Sequence, residues 1–227
     1  MAAFSKRAKA NRAIADQYEG PQSAATAMKV LKSFKGPSFD QTVECCMHLA
    51  IDPRQADQQI RGSVSMPKGV GKTARVICFC GDDKVEAAKA AGAVEAGGES
   101  LVEKVAGGWF EFDVAVASPD MMRVVSKLGR VLGPKGLMPS PKAGTVTADV
   151  ATAVTEYSAG KIEYRNDDTG NIHCVIGKMS FDEADLLENF NFFFSIIDKA
   201  RPAVTKGEFI KNCVISGTMT PAIQVAV

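Results

Sequence analysis

From Ala74 to Val131 the chain alternates short apolar runs with stretches of helical length, and this rhythm restricts the fold more than any other feature. Arg75-Val-Ile-Cys-Phe-Cys80 reads as a buried strand, and Asp82–Ala91 as a helix with acids in its first turn, where the helix dipole favours them. A short strand at Val94, a helix over 99–106, the strand Phe112-Asp-Val-Ala-Val-Ala117 and a helix over 119–131 follow. Strands joined by helices in this way close as parallel neighbours, so the segment predicts a small parallel sheet covered by helices. The two ends of the chain have a different style. Helices are expected over 5–18 and 22–35, then strands over 42–51 and 60–66. Beyond a helix over 148–158, ended by Gly160, Ile162–Arg165 and Ile172–Ile176 flank a polar turn and read as a hairpin. A long helix over 182–200 and strands over 210–218 and 222–227 close the chain. The reading is therefore an α+β fold with an inserted α/β domain. Residues 1–67 and 160–227 make one discontinuous domain and 68–159 the insertion, with joints near 67–72 and 158–160.

The composition is that of an ordinary globular protein, with 46% hydrophobic and 23% charged residues, and the net charge is only +1. A polyanionic partner must then be met by a local patch rather than by the whole surface. Residues 121–148 supply one, with no acid and with Arg123, Lys127, Arg130, Lys135 and Lys142. Glycines and prolines through this stretch force a looped backbone whose open N–H groups and interspersed cations suit a phosphate backbone.

Other chemistries are not written in the chain. The six cysteines form no CxxC pair, and His48 and His173 have no zinc-like spacing, so reduced, buried thiols in a reducing compartment are expected and no metal. No run approaches membrane-spanning length, and the N-terminus has no apolar leader core. Gly69-Val-Gly-Lys-Thr73 resembles the end of a phosphate loop, but Met66 stands where that pattern needs a glycine and the next residues are strand-like. It reads as a hinge turn. Gly81 is followed by Asp82 and Asp83, which would repel a dinucleotide pyrophosphate, and no catalytic motif appears; no cofactor is expected.

The polar face of strand 42–48 carries Thr42, Glu44 and His48, and Ser216-Gly-Thr-Met-Thr220 ends a later strand with hydroxyls and a methionine. Such groups can bond to ribose hydroxyls and phosphates. Taken with Ile51-Asp-Pro-Arg-Gln-Ala-Asp-Gln-Gln-Ile-Arg-Gly62, Pro67-Lys-Gly-Val-Gly-Lys72, Ala115-Val-Ala-Ser-Pro-Asp120, the 127–146 loop and Tyr164-Arg-Asn-Asp167, they make the chain closely similar to the ribosomal protein L-one family. That resemblance implies a discontinuous two-domain fold with a Rossmann-like, three-layer second domain. It also implies a bacterial-type, non-enzymatic protein of the large ribosomal subunit, cytoplasmic and monomeric within the ribosome. Its partners would be the stalk region of the large-subunit rRNA, deacylated tRNA at the exit site, and its own mRNA as a repressor target. The RNA-binding residues carried over are Phe39, Thr42, Glu44, Ser216, Thr218 and Met219, with Arg165, Asn166, Asp167 and His173 in the flanking segment. Lys135 and Lys142 stand for the second-domain loop. One departure is Thr220, where the family usually has glycine; a side chain there is expected to alter the geometry of the strand end.

Overall fold

The computed structural model describes residues 5–18 and 20–226; the expected strand end at Val227 and the leaderless reading of Met1–Phe4 lie outside them. In chain order the elements begin with α1 (Lys6–Ala15), α2 (Ala24–Ser33), β1 (Thr42–Leu49), β2 (Arg61–Ser65), β3 (Val76–Phe79), α3 (Asp82–Ala90) and β4 (Glu95–Gly97). Next come α4 (Glu99–Ala106), β5 (Val114–Ala117), the short helices α5 (Met122–Val125) and α6 (Gly129–Leu132), and α7 (Val150–Ser158). The chain ends with β6 (Lys161–Arg165), β7 (Asn171–Lys178), α8 (Glu183–Lys199), β8 (Ile210–Gly217) and β9 (Ile223–Val225). It is an α+β fold whose contacts divide it into two compact units. The first comprises Met1–Arg61, Met66–Gly71 and Tyr164–Val227, and the second Gly62–Ser65 and Lys72–Glu163. The boundaries fall within β2 and within β6, which pair with each other in a two-stranded sheet, and also just after β2 and between Gly71 and Lys72.

The second unit is built on a three-stranded parallel sheet in the order β4-β3-β5. Period-two alternation sends Ile77 and Phe79 into one core with Leu101, Val102 and Val105 of α4 and with Val125, Leu128 and Leu132. Val76, Cys78 and Cys80 enter the other core, with Ala88 of α3 and Val150, Val154 and Tyr157 of α7. The expected helix over 119–131 is a run of short pieces alternating between 3-10 and α geometry. It closes tightly, because a Cβ at Gly133 would lie 2.5 Å from the Gly129 carbonyl oxygen. At the base of the sheet Asp113 accepts from the Arg75 backbone N–H and Nε, and from Lys72 Nζ, each at 3.1 Å. The lysine of the phosphate-loop lookalike is therefore an ion-pair partner, and Gly69 and Gly71, at φ +68° and +71°, turn the chain toward a strand and not a helix.

In the first unit a four-stranded antiparallel sheet runs β7-β1-β8-β9, with α2 and α8 packed on it. Val43, Cys45, Met47 and Leu49 of β1 face the helices and are at most 1% exposed. Phe190, Phe193 and Ile197 of α8 are buried against the sheet, whereas Phe192 on the far side of the helix is 41% exposed. Asn189, fully buried on α8, accepts from the Lys68 N–H at 3.1 Å and donates to the carbonyls of Gly69 at 3.0 Å and Ile176 at 2.8 Å.

Residues 162–165 and 172–176 do not form the expected hairpin. β6 pairs with β2 and β7 with β1, and an isolated bridge between Asn166 and Ile172 is what joins them. The intervening turn explains the handover. The Asp167 carboxylate gathers the N–H groups of Thr169 and Asn171 at 2.9 and 2.7 Å, while Asn166 Oδ1 accepts the Ile60 N–H at 2.9 Å. These bonds satisfy the backbone locally and commit it away from a ladder between β6 and β7.

Both carboxylates have depressed pKa values. The Arg75 side chain, then its backbone N–H, brings Asp113 down to about 2 against an opposing desolvation. For Asp167 desolvation pushes upward, but the hydrogen bonds from Asn171 and Thr169 outweigh it and hold the group well below the usual carboxylate range. A depressed folded-state value gives stability that is complete above the unfolded value, near ~3.9, and lost as pH falls through the folded one. The melting temperature should therefore stay level from pH 7 to about 5 and drop below about 4. Asp113→Asn should lower it at pH 7 and flatten the acid limb. Thermal melts showing the same acid limb in both proteins would remove Asp113 from this account.

Candidate nucleic-acid interface

The face of the first unit's sheet that points away from α2 and α8 carries mainly polar side chains, interrupted by Val175 and Val214. On β1 it presents Thr42, Glu44, Cys46 and His48, all partly or fully exposed. Antiparallel register sets Val175 and Ser216 beside Glu44, His173 and Val214 beside Cys46, and Asn171 and Asn212 beside His48. Gln224 of β9 lies beside Val214.

At the Thr42 end the face is finished by a tight turn, Gly217 to Thr220, closed by a backbone bond from the Thr220 N–H to the Gly217 carbonyl at 3.2 Å. Thr220 Oγ1 also accepts the Gly217 N–H at 2.8 Å. No residue other than glycine has a positive φ among the described residues, so the threonine is accommodated without strain and adds a bond that glycine could not make. At this strand end the turn is held in part by the Thr220 side chain. The neighbouring Thr218 hydroxyl accepts the Thr42 N–H at 3.1 Å, and its own N–H bonds the Thr42 carbonyl. Thr218 therefore joins β1 to the turn as well as facing solvent.

Two residues that sequence reasoning missed organise this end. Gln41, 1% exposed, accepts the Met219 N–H at 2.8 Å and so fixes the turn's tip. Lys178 donates to the Thr42 hydroxyl at 2.8 Å and brings a cation to the edge of the face. Its stem occupies the place of any Cβ on Gly71, which would stand 2.8 Å from Lys178 Cγ. Met219 and Phe39, each 52% exposed, project from the loops around Gln41.

The flanking residues separate into two kinds. His173 is exposed on the open face, its Nε2 3.9 Å from Cys46 Sγ, and Arg165 is exposed at the end of β6. Asn166 and Asp167 are engaged in the turn, as described above, so their side chains act first as structure. The histidine neighbour does not activate Cys46: desolvation first, then the Asp167 and Cys213 charges, push its thiol upward. The other five cysteines are buried and free, and burial pushes Cys78 and Cys174 up to about 12. Among the described residues no cluster of His, Cys, Asp or Glu could hold a metal, and no helix is long and apolar enough to cross a membrane.

Lys135 and Lys142 belong to the second unit. Lys142 is exposed in the 141–143 turn just before Gly144, whose φ is +73°. Lys135 is exposed too, but its Nζ lies 4.4 Å from the Phe110 ring centroid, an attraction that tethers it without neutralising it. Arg123, Lys127 and Arg130 are exposed along the preceding helical pieces while Val125, Leu128 and Leu132 between them are buried. None of these five cations is ion-paired among the described residues.

A model of the "Ribosomal protein L1p/L10e family" matches residues 31–221. A protein of Nocardioides sp. (strain ATCC BAA-499 / JS614) described as "Large ribosomal subunit protein uL1" is 50% identical over 222 residues, which cover 97% of this chain and 92% of that protein. With agreement at that level along nearly its whole length, the chain belongs to the ribosomal protein L1p/L10e family, the L-one family, in its bacterial form, and is a structural protein and not an enzyme.

Proposed function

We propose that this member of the large ribosomal subunit, resident in the cytoplasmic ribosome, binds the stalk region of the large-subunit rRNA through the open sheet face of its first unit. The carrying observation is the turn at Thr218 and Met219, held by Gln41 and Thr220 at the end of the face that carries Thr42, Glu44 and Ser216. Hydroxyls and amides fixed in this way suit ribose hydroxyls and base edges, which is how a flat protein surface recognises a folded RNA. The two compact units are read as a discontinuous RNA-binding domain, 1–67 with 160–227, and an inserted Rossmann-like domain, 68–159. The unpaired cations of the insertion supply a second, sequence-indifferent contact to phosphates. Help in releasing deacylated tRNA from the exit site, and repression of the chain's own mRNA, follow from the same RNA surface and the family's role.

Binding of the full chain to a stalk rRNA fragment and to a scrambled duplex of equal length tests this reading. The chain should prefer the stalk fragment. Lys135→Ala with Lys142→Ala should weaken both RNAs by similar factors and lower the log–log salt slope by roughly 1.4–1.8, since each phosphate contact contributes roughly 0.7–0.9. An unchanged slope would mean that these two cations are only solvated.

A further inference from the structure

We infer that the far end of the open sheet face, formed by His48, Asn212 and Gln224, is a second RNA contact that reads ribose 2′-hydroxyls. The inference rests on the proposed rRNA-binding role and extends it to a part of the sheet to which no resemblance carries a binding residue. The three side chains lie across β1, β8 and β9: His48 is beside Asn212, and Asn212 bonds Gln224.

Their hydrogen bonding is only half used. Gln224 Nε2 donates to Asn212 Oδ1 at 3.1 Å, which leaves Asn212 Nδ2 and Gln224 Oε1 open on two exposed side chains. If both amides are turned over, the bond reverses and one donor and one acceptor are again left open. A 2′-hydroxyl is both donor and acceptor, so the pair complements it in either setting. His48 is set by its neighbour. Asn171 gives its Nδ2 hydrogens to Asp167 at 3.1 Å and to Thr169 at 2.7 Å, so its Oδ1 is the atom that meets His48 Nδ1 at 2.8 Å. Nδ1 must carry a proton, and neutral His48 presents Nε2 as a bare acceptor.

Asn212 and Gln224 also line a depression with Lys211, Arg201, Asp198 and Glu208, where cations and carboxylates are mixed and set up no one-sign site for a phosphate; the paired donor and acceptor are what single out a sugar edge as the occupant. Along β1 the open face runs from Thr42 to His48, a length of roughly 20 Å for seven residues. An RNA strand seated at the Thr218 turn is therefore able to run on across it.

The test uses the full chain, Asn212→Ala with Gln224→Ala, and stalk rRNA fragments in which successive blocks of nucleotides carry 2′-deoxyribose. Both side chains are exposed, so an unchanged melting temperature is expected. The double variant should bind the all-ribose fragment about tenfold more weakly, with an unaltered salt slope. One deoxyribose block that weakens the natural chain should leave the variant indifferent. Equal affinity of variant and natural chain for the all-ribose fragment overturns the inference, as does sensitivity of both to the same blocks. If the natural chain itself fails to prefer the stalk fragment over a scrambled duplex, the rRNA-binding reading falls and takes this contact with it.

Discussion

Alanine at both Phe39 and Met219 should reduce affinity for a stalk rRNA fragment by about 100-fold and leave the melting temperature unchanged. Each side chain is 52% exposed, and Gln41, two residues after Phe39, accepts the Met219 N–H. Losing an aromatic surface that a base can stack on costs about 1–3 kcal/mol, and the apolar area of Met219 adds on the order of 1 kcal/mol. Together these amount to about two decades in affinity. Gln41→Ala makes a contrast. It leaves the Met219 N–H unheld and opens a cavity at a buried site, so it should lower stability and affinity together. Thr218→Ala is expected to do the same to a smaller extent, because the hydroxyl also serves Thr42. Full affinity in the Phe39 and Met219 double variant would show that the RNA is read elsewhere. A fall in its melting temperature would show that these side chains pack within the protein.

The largest stability change should come from Asn189→Leu. The two side chains have similar volumes, so the cavity term is small, but the amide serves one N–H and two carbonyls, all lost as partners at once. Buried backbone groups left without a bond cost about 1–3 kcal/mol each, and partial access of water to Lys68 and Gly69 lowers the sum to roughly 3–5 kcal/mol. The single tryptophan, Trp109, lies in the second unit. Urea unfolding followed by far-ultraviolet circular dichroism should thus show an early transition that tryptophan fluorescence does not follow. A shift of less than about 1 kcal/mol would mean that water or a local rearrangement replaces the amide.

Short-range pattern was enough for much of the fold. Strands β3 and β5 are apolar runs bounded by breakers, and the alternation in β1 marked Thr42, Glu44 and His48 as its polar face; the expectation of buried thiols fails at Cys46, which that same alternation places on the open face. The hairpin over 162–176 failed because both segments carry correct strand periodicity, while the choice of partner depends on Asn166 reaching Ile60 across 106 residues. The candidate site was legible in its exposed side chains and not in its supports. Gln41 meets Met219 across 178 residues, and Lys178 meets Thr42 across 136. An isolated glutamine between an aspartate and a threonine, or a lysine at a strand end, carries no local sign of such a task. Thr220 was visible as a departure, but only the turn geometry shows its hydroxyl replacing freedom with a bond.

The placement of β1 also governs when the protein can fold. Both of its neighbours in the sheet, β7 and β8, are made more than a hundred residues later, as the separation of 168 between the touching thiols of Cys45 and Cys213 records. During synthesis the second unit, whose sheet pairs strands close in sequence, has all its parts while β1 still has an apolar face and two open edges. The nascent first unit is thus an unpaired strand held in reserve, exposed to mispairing and to chaperones for as long as translation needs to reach β8. A slow codon or a stall between residues 50 and 170 lengthens that interval without changing a single contact of the finished protein.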